Sequence, residues 1–313
     1  MSCDSMAKST CGIAPNQIGM SNPTVCFSYH FDAVSTWLWS YESWDMPTRH
    51  SRGVFGAEVA AHRLLDVHDE YDTPTTWCIP GHTIESFPEI CAAVADRGHG
   101  IQHHGWTHRG PSTYESREAE QSDIERGIDA IYDLTGETPT GYASPAWDFS
   151  EHTLDILLEL GFEWDSSKMA SDFRPHYVYD GWSAPEDGPY DRGEPTDIVE
   201  LPASWQRDDF PALTYTWSRP HRMGYVSEDS LFRRWYDQFD WMVDNVEDGV
   251  FVLTLHPQVI GQAHRITRLE EFLSHVLDAG ATVATMDDVA SAFREEHPDP
   301  EAFRDEYFFS HRG

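Results

Sequence analysis

From about residue 24 onward, stretches in which every second residue is apolar alternate with stretches in which apolar residues recur at spacings of three and four. That alternation of a two-residue and a 3.6-residue period is the pattern of βα units. VCFSYHF (25–31) reads as a strand. GAEVAAHRLLDVHDEY (56–71) reads as a helix with Val59, Leu64, Leu65 and Val67 facing inward. TTWCI (75–79) as strand, ESFPEICAAVADRG (85–98) as helix and GIQHH (100–104) as strand continue the rhythm. The next helix, SDIERGIDAIYDLTG (122–136), carries Ile124, Ile128, Ile131 and Leu134 on one face and reaches a stop at Gly136.

The segments GYASP, HTLDILLELG and FEWDSS extend the alternation, and DIVELPASW predicts a further strand. Between about 168 and 195 the chain is dense in Asp, Gly, Pro and Tyr, without helical period, and predicts a long loop-rich insert. Order then returns with LFRRWYDQFDWMVDNV (helix), GVFVLTLHP (strand), ITRLEEFLSHVLDAG (helix), ATVATM (strand) and DDVASAFREE (helix). No linker marks a domain boundary. The expectation is one barrel-like α/β domain over residues 23–296, with an arm at 1–22 and a tail at 297–313.

Composition changes this picture in one respect. The chain has 54 acidic and 21 basic residues, a formal charge of -33, yet is 40% hydrophobic and rich in Trp, so it is globular and not disordered. The acid is spread over helix-like segments and loops, as on a solvated surface adapted to high salt, where repulsion is screened within a few ångströms. Such a surface repels nucleic acid and anionic membranes. The five cysteines, Cys3, Cys11, Cys26, Cys78 and Cys91, lack CxxC spacing and give neither a zinc knuckle nor a disulfide scaffold. With no signal-like start and no run of membrane-spanning length, a cytoplasmic location is expected.

Candidate chemistry collects at strand ends. In the first strand Val25, Phe27, Tyr29 and Phe31 point one way and Cys26, Ser28, His30 and Asp32 the other. His30 and Asp32 therefore share a face at the C-terminal end, where parallel α/β folds place ligands and reactive groups. In HGIQHHGWTHRG (99–110) a short strand runs into His104 and His108, four apart, so that one helical turn or tight loop can aim both imidazoles at one point. The strand in VFVLTLHP ends at His256, held extended by Pro257. Taken singly, each is more often an ordinary hydrogen-bonded residue at a sheet end; their conjunction at strand C-termini carries the weight. One Asp with two His supplies the mixed oxygen and nitrogen ligands, with an open water position, that a divalent metal takes.

At this point the sequence resembles a known family, the polysaccharide deacetylases with the NodB homology domain, also called carbohydrate esterase family four. The similarity is greatest to its peptidoglycan deacetylase-like and cyclic imide hydrolase branch. It runs from about 24 to 296 and is carried by FDAVSTWLWSYE, SRGVFGAEV, TTWCIPGHTIESFPE, HHGWTHRGP, LTGETPTGYASPAWDFS, DSSKM, DIVELPASW, QFDW and TLHP. The resemblance implies a distorted (β/α) barrel of the polysaccharide deacetylase type, in a single domain. It further implies a divalent metal, with zinc expected, bound by Asp32, His104 and His108, and a metal-bound water attacking the carbonyl of a carbon–nitrogen bond other than a peptide bond. His256 would protonate the leaving nitrogen.

Two positions depart from the family pattern. Relatives usually carry an Asp as general base where this chain has His30, and many carry an Arg where it has Ala143. His30 is read as the base, kept neutral by a neighbouring cation. The alternatives are a further metal ligand, or no role because the water needs no base beyond Asp32. A non-catalytic small-molecule or carbohydrate-binding protein on the same barrel is the contrasting function.

Trp39, Trp106, Trp147 and Trp205 lie beside these motifs, and each is as often core packing as a platform for a sugar ring or flat imide. Trp147 and Trp205 are carried forward as substrate contacts. So is Arg174, which can meet a carboxylate or oxyanion and is otherwise a surface ion pair. A cytoplasmic chain shifts the expected substrate from polysaccharide toward an N-acetyl sugar precursor, a cyclic imide or a ureide. The resemblance also implies a homo-oligomer, with a tetramer among the allowed assemblies.

Overall fold

The structure is a computed structural model describing residues 22–216 and 225–307. Its first strand, β1 (Thr24–His30), is buried along its whole length. Both faces pack. Phe27, Tyr29 and Phe31 join a cluster with Leu64, Leu65, Trp77, Leu253 and Phe272, while Cys26 meets Cys78, Val252, Trp164 and Met286 on the other side. This is the near-continuous apolar strand of a parallel sheet covered on both sides.

The remaining strands are β2 (Thr76–Ile79), β3 (Gly100–His103), β4 (Gly141–Tyr142), β5 (Trp164–Asp165), β6 (His176–Asp180), β7 (Glu194–Glu200), β8 (Val250–Leu255) and β9 (Thr282–Val283). Their order is β6-β7-β5-β4-β3-β2-β1-β8, with β9 pairing to the start of β1. All pairs are parallel except β6 with β7. The sheet curls into a half barrel, so the expected distorted barrel is present in open form. Beside β8 a single bridge joins Asp208 to Thr254 and brings the 207–209 segment against the rim.

Four local differences from the sequence pattern have physical causes. The helix expected over 56–71 begins at Pro47, and Gly56–Ala60 forms one π turn between Pro47–Phe55 and Ala61–Tyr71. A π turn holds more residues than an α turn, which shifts the inward face. Val59 accordingly faces solvent at 37% exposure, whereas Leu64, Leu65 and Val67 are buried as expected. The helix over 85–98 is two, Gly81–Ser86 and Pro88–Asp96, broken at Phe87 because Pro88 disfavours a helical residue before it.

The loop-rich insert contains β6, which alternates but is masked in sequence by its Asp- and Gly-rich flanks. The expected tail is ordered in part: Pro300–Tyr307 is helical, and Phe303 packs on Tyr177 and Phe293. The expected arm falls almost entirely outside the described residues. Cys26, Cys78 and Cys91 are free and buried. No described helix is long and apolar enough to cross a membrane.

Candidate active site

Strand register assembles the site. The pairing of Tyr29 with Leu255 sets His256 alongside His30, and that of His103 with Tyr142 sets His104 beside Ala143. His30 and Asp32 both lie on the concave side, as alternation requires. The His30 ring lies 4.4 Å from His104 and 5.5 Å from His256. Asp32 Oδ1 stands 3.5 Å from both His104 Nε2 and His108 Nε2, and Asp32 Oδ2 stands 3.9 Å from His256 Nε2.

His104 and His108 sit on a loop and not a helix. Gly105 there has φ of 73°, and a Cβ on it would lie 2.5 Å from the Thr107 carbonyl oxygen. Asp123, on the helix Arg117–Thr135, accepts hydrogen bonds from the backbone N–H of Trp106 (2.8 Å) and Thr107 (3.1 Å) and from the Thr107 hydroxyl (2.9 Å). That carboxylate ties down the turn between the two histidines.

The tautomers follow from the outer hydrogen bonds. His104 Nδ1–H donates to the Ala143 carbonyl at 2.5 Å, which leaves Nε2 with its lone pair inward. The Ser40 hydroxyl donates to the His108 carbonyl at 2.7 Å, so at 2.6 Å it accepts from His108 Nδ1–H, and His108 Nε2 is likewise a free acceptor. Asp32 Oδ1 and His104 Nε2 are buried and have no hydrogen-bond partner. Three acceptors converging on one point, two of them orphaned, fit a borderline divalent cation by their chemistry.

A second constellation, Asp208, Asp209 and His256, lies next to the first. His256 Nδ1–H donates to Asp209 at 2.8 Å, and its backbone N–H bonds the same carboxylate at 3.1 Å. Its ring is thus engaged directly with the acid. Burial opposes charging of His256, but Asp208, Asp209 and Asp32 outweigh it and raise its pKa to about 9. His30 differs: burial, then His104 and His256, hold it well below the usual histidine range, so it is neutral. Burial also pushes Asp32 up, yet His108, His104 and His256 more than offset this and keep it ionised.

A cavity of about 380 Å³ opens over these groups, floored by His30, Asp32, His108 and His256 and walled by Tyr41, Trp147, Trp205, Phe210 and Pro211. Trp147 and Trp205 pack with ring centres 4.5 Å apart. Ala146 and Trp147 have φ of 57° and 49°, a strained backbone for side-chain-bearing residues. The structure therefore brings Asp32, His104, His108, His30, His256, Trp147 and Trp205 together.

Arg174 is not with them. Its neighbour Phe173 accepts a hydrogen bond from Val250 N, at the start of β8, so Arg174 lies at the opposite end of that strand from His256. It contacts no part of the cavity, and the expected substrate role is corrected on that ground. Trp39 and Trp106 also lie off the cavity, where they meet His82 and each other edge-on. Asp208, Asp209 and Ser40 are site residues that the sequence did not disclose.

Buried acceptors facing a charged histidine, at the rim of a curled α/β sheet, are the equipment of a hydrolase more than of a binding module. Comparison with known proteins narrows the class. The family model for polysaccharide deacetylase matches residues 54–164. A peptidoglycan deacetylase of Helicobacter pylori is 36% identical over 285 residues, which cover 88% of this chain and 97% of that protein. A peptidoglycan deacetylase-like protein of Gibberella zeae is 28% identical, covering 86% of each chain. A solved structure described as a polysaccharide deacetylase of Mycobacterium smegmatis superposes with a TM-score of 0.77 at 30% identity, over 91% of this chain and 94% of that one. An allantoinase shares the fold, with a TM-score of 0.71 at 19% identity over 90% and 93% of the two chains. The chain belongs to the polysaccharide deacetylase family and is a hydrolase acting on carbon–nitrogen bonds other than peptide bonds.

Proposed function

We propose that the protein is a metal-dependent hydrolase opening a carbonyl–nitrogen bond in a small, flat, uncharged ring, a cyclic imide or ureide. The observation that carries this is the pairing of orphaned acceptors on Asp32 and His104 with a proton-bearing His256 on the other side of Asp32. Asp32, His104 and His108 are the residues that would hold the cation, with zinc the proposed metal. Bound there, a divalent cation supplies Lewis acidity, polarising a carbonyl and lowering the pKa of water.

The chain's own residues supply the rest. His256 holds a proton at Nε2, available to the departing nitrogen, because Asp209 fixes its Nδ1–H. His30, neutral and exposing a lone pair, is suited to accept a proton where relatives use an Asp. Its absence from the cluster of mutually close ligand atoms supports a base over a further ligand. Trp147, Trp205, Tyr41 and Phe210 bound a largely apolar space that suits a flat ring.

A second reading, an N-acetyl group on a sugar, is favoured by the relative named a peptidoglycan deacetylase. Steady-state turnover of succinimide and of N-acetylglucosamine oligomers by the metal-loaded protein distinguishes the two. Preference for succinimide is expected; turnover of the oligomers alone would select the sugar reading. Turnover of neither by the metal-loaded protein would overturn both substrate readings.

A further inference from the structure

Asp165, the last residue of β5, and Glu200, the last residue of β7, are register partners on neighbouring parallel strands, and both are fully buried. Among the described residues, Asp165 Oδ2 and Glu200 Oε2 meet no donor. The Lys168 amine stands 3.8 Å from Asp165 Oδ2, beyond hydrogen-bond length, and 3.7 Å from the centre of the Phe149 ring.

Two ionised carboxylates side by side would repel, and one lysine balances only one charge. His176, opposite Glu200 on β6, adds none, because burial lowers its pKa to about 4. A single proton held between the two acids satisfies both orphan oxygens and leaves one negative charge for Lys168. Burial raises the pKa of both acids, as this requires; Asp165 raises Glu200 further, and Lys168 works against the rise in each.

Neither acid lines the cavity over Asp32, but hydrogen bonds run from them to a residue that does. The Ser167 hydroxyl donates to Asp165 Oδ1 at 2.6 Å and accepts from the Ser144 N–H at 2.8 Å. The Ser167 and Lys168 N–H groups donate to Glu200 Oε1 at 3.0 and 2.7 Å, which fixes the segment carrying that hydroxyl. Ser144 in turn opens the turn that leads to Trp147. Its carbonyl accepts from the Trp147 N–H at 2.9 Å, and its hydroxyl donates to the Asp148 carbonyl. The positive φ of Ala146 and Trp147 persists only where the surroundings over-determine the turn.

We infer that the Asp165–Glu200 pair, acting through Ser167 and Ser144, is a positioning device for Trp147, holding the strained turn so that the indole keeps its place in the cavity wall beside Trp205. Asp165, Glu200 and Ser167 are thus positioning residues that touch none of the reacting groups. The inference rests on the reading of this cavity as the substrate site, and not on which ring fills it.

Zinc-loaded parent and variants are compared by steady-state kinetics on succinimide and on N-acetylglucosamine oligomers, and by hydrogen exchange of peptides covering 143–149 and 104–108. Ser167→Ala, which cuts the link, is expected to raise KM about tenfold with kcat and zinc content near parental. It is also expected to speed exchange at 143–149 and not at 104–108. Glu200→Leu is expected to act alike, and Glu200→Gln to restore the parental KM. The Gln amide oxygen still accepts from the Ser167 and Lys168 N–H groups, and its NH2 donates to Asp165 in place of the shared proton. In a Trp147→Ala background, Ser167→Ala is expected to add nothing to KM, which a general loss of stability would not produce. An unchanged KM in Ser167→Ala, an equal further rise in the Trp147→Ala background, or a Glu200→Gln as impaired as Glu200→Leu would each overturn the inference. If the parent turns over the oligomers and not succinimide, the imide reading fails and the same comparison on the oligomers decides the inference. If it turns over neither, exchange decides: faster exchange at 143–149 in Ser167→Ala and Glu200→Leu but not in Glu200→Gln upholds the inference, and any other pattern overturns it.

Discussion

His256 and His30 lie 5.5 Å apart by ring centres and are held in opposite protonation states by their neighbours. His256 is charged because Asp208 and Asp209 outweigh burial, and His30 is neutral because burial and two other histidines oppose its charge. Pairs of titratable groups pushed apart in this way mark acid and base roles. Two outcomes follow at this scale. Asp209→Asn is expected to lower kcat about 100-fold by removing the charge that holds the His256 proton, while metal content stays at the parental level. His30→Ala is expected to lower turnover by a similar factor and also keep its metal; co-purified metal falling with activity would instead make His30 a ligand. Alternation along β1 made His30 and Asp32 legible in sequence. Asp208 and Asp209 were not, because two adjacent acids carry no signal in a chain with 54. Arg174 misled for a related reason: a cation in an irregular insert says nothing about which end of the sheet it reaches.

At the scale of elements, the site depends on how loops are tied to the sheet. The loop carrying His104 and His108 is held by the carboxylate of Asp123, itself part of the next helix, and by the backbone N–H groups of Gly81 and His82, which donate to the carbonyls of Gly105 and Trp106. Asp123→Ala is expected to keep the fold, by far-ultraviolet circular dichroism, and to weaken metal affinity about 10- to 100-fold, the usual cost of losing such support. Unchanged affinity in a titration against a fluorescent chelator would contradict that dependence. Long elements such as the Arg117–Thr135 helix and β8 were evident from their periods. The π turn at Gly56–Ala60 was not, since a one-residue change of helical phase leaves composition intact and appears only as Val59 turned to solvent. Strand β6 was hidden because five alternating residues do not stand out against a turn-rich background.

At the scale of the whole molecule, the charge of -33 and the buried histidines act on stability together. Burial lowers the pKa of His68 to about 3, and His68 is hydrogen-bonded to Tyr29 (2.7 Å) and Thr73 (2.8 Å). Burial likewise lowers His176 to about 4. Both are neutral when folded and take up a proton when unfolded below about pH 6.5, so their contribution is full above that pH and is lost as pH falls toward 3 to 4. At pH 5 the loss is about 2 kcal/mol per histidine. In molar salt, where surface repulsion is screened within ~3 Å, urea unfolding at pH 7.5 and pH 5 is expected to show that His68→Gln loses less stability than the parent, or gains more, between the two pH values. An equal change in parent and variant would mean that His68 is charged in the folded protein. The barrel-like α/β architecture was implied by the βα alternation, whereas the helix at Pro300–Tyr307 was not, because its docking depends on Phe303 reaching Tyr177 across the fold.

The most direct test of the central claim is turnover of succinimide by protein stripped with a chelator and then titrated with zinc. Activity is expected to vanish on stripping and to return in proportion to zinc, saturating at a single equivalent per chain, with Asp32→Asn recovering none. Full turnover by the stripped protein, or zinc-restored turnover in Asp32→Asn, would contradict it.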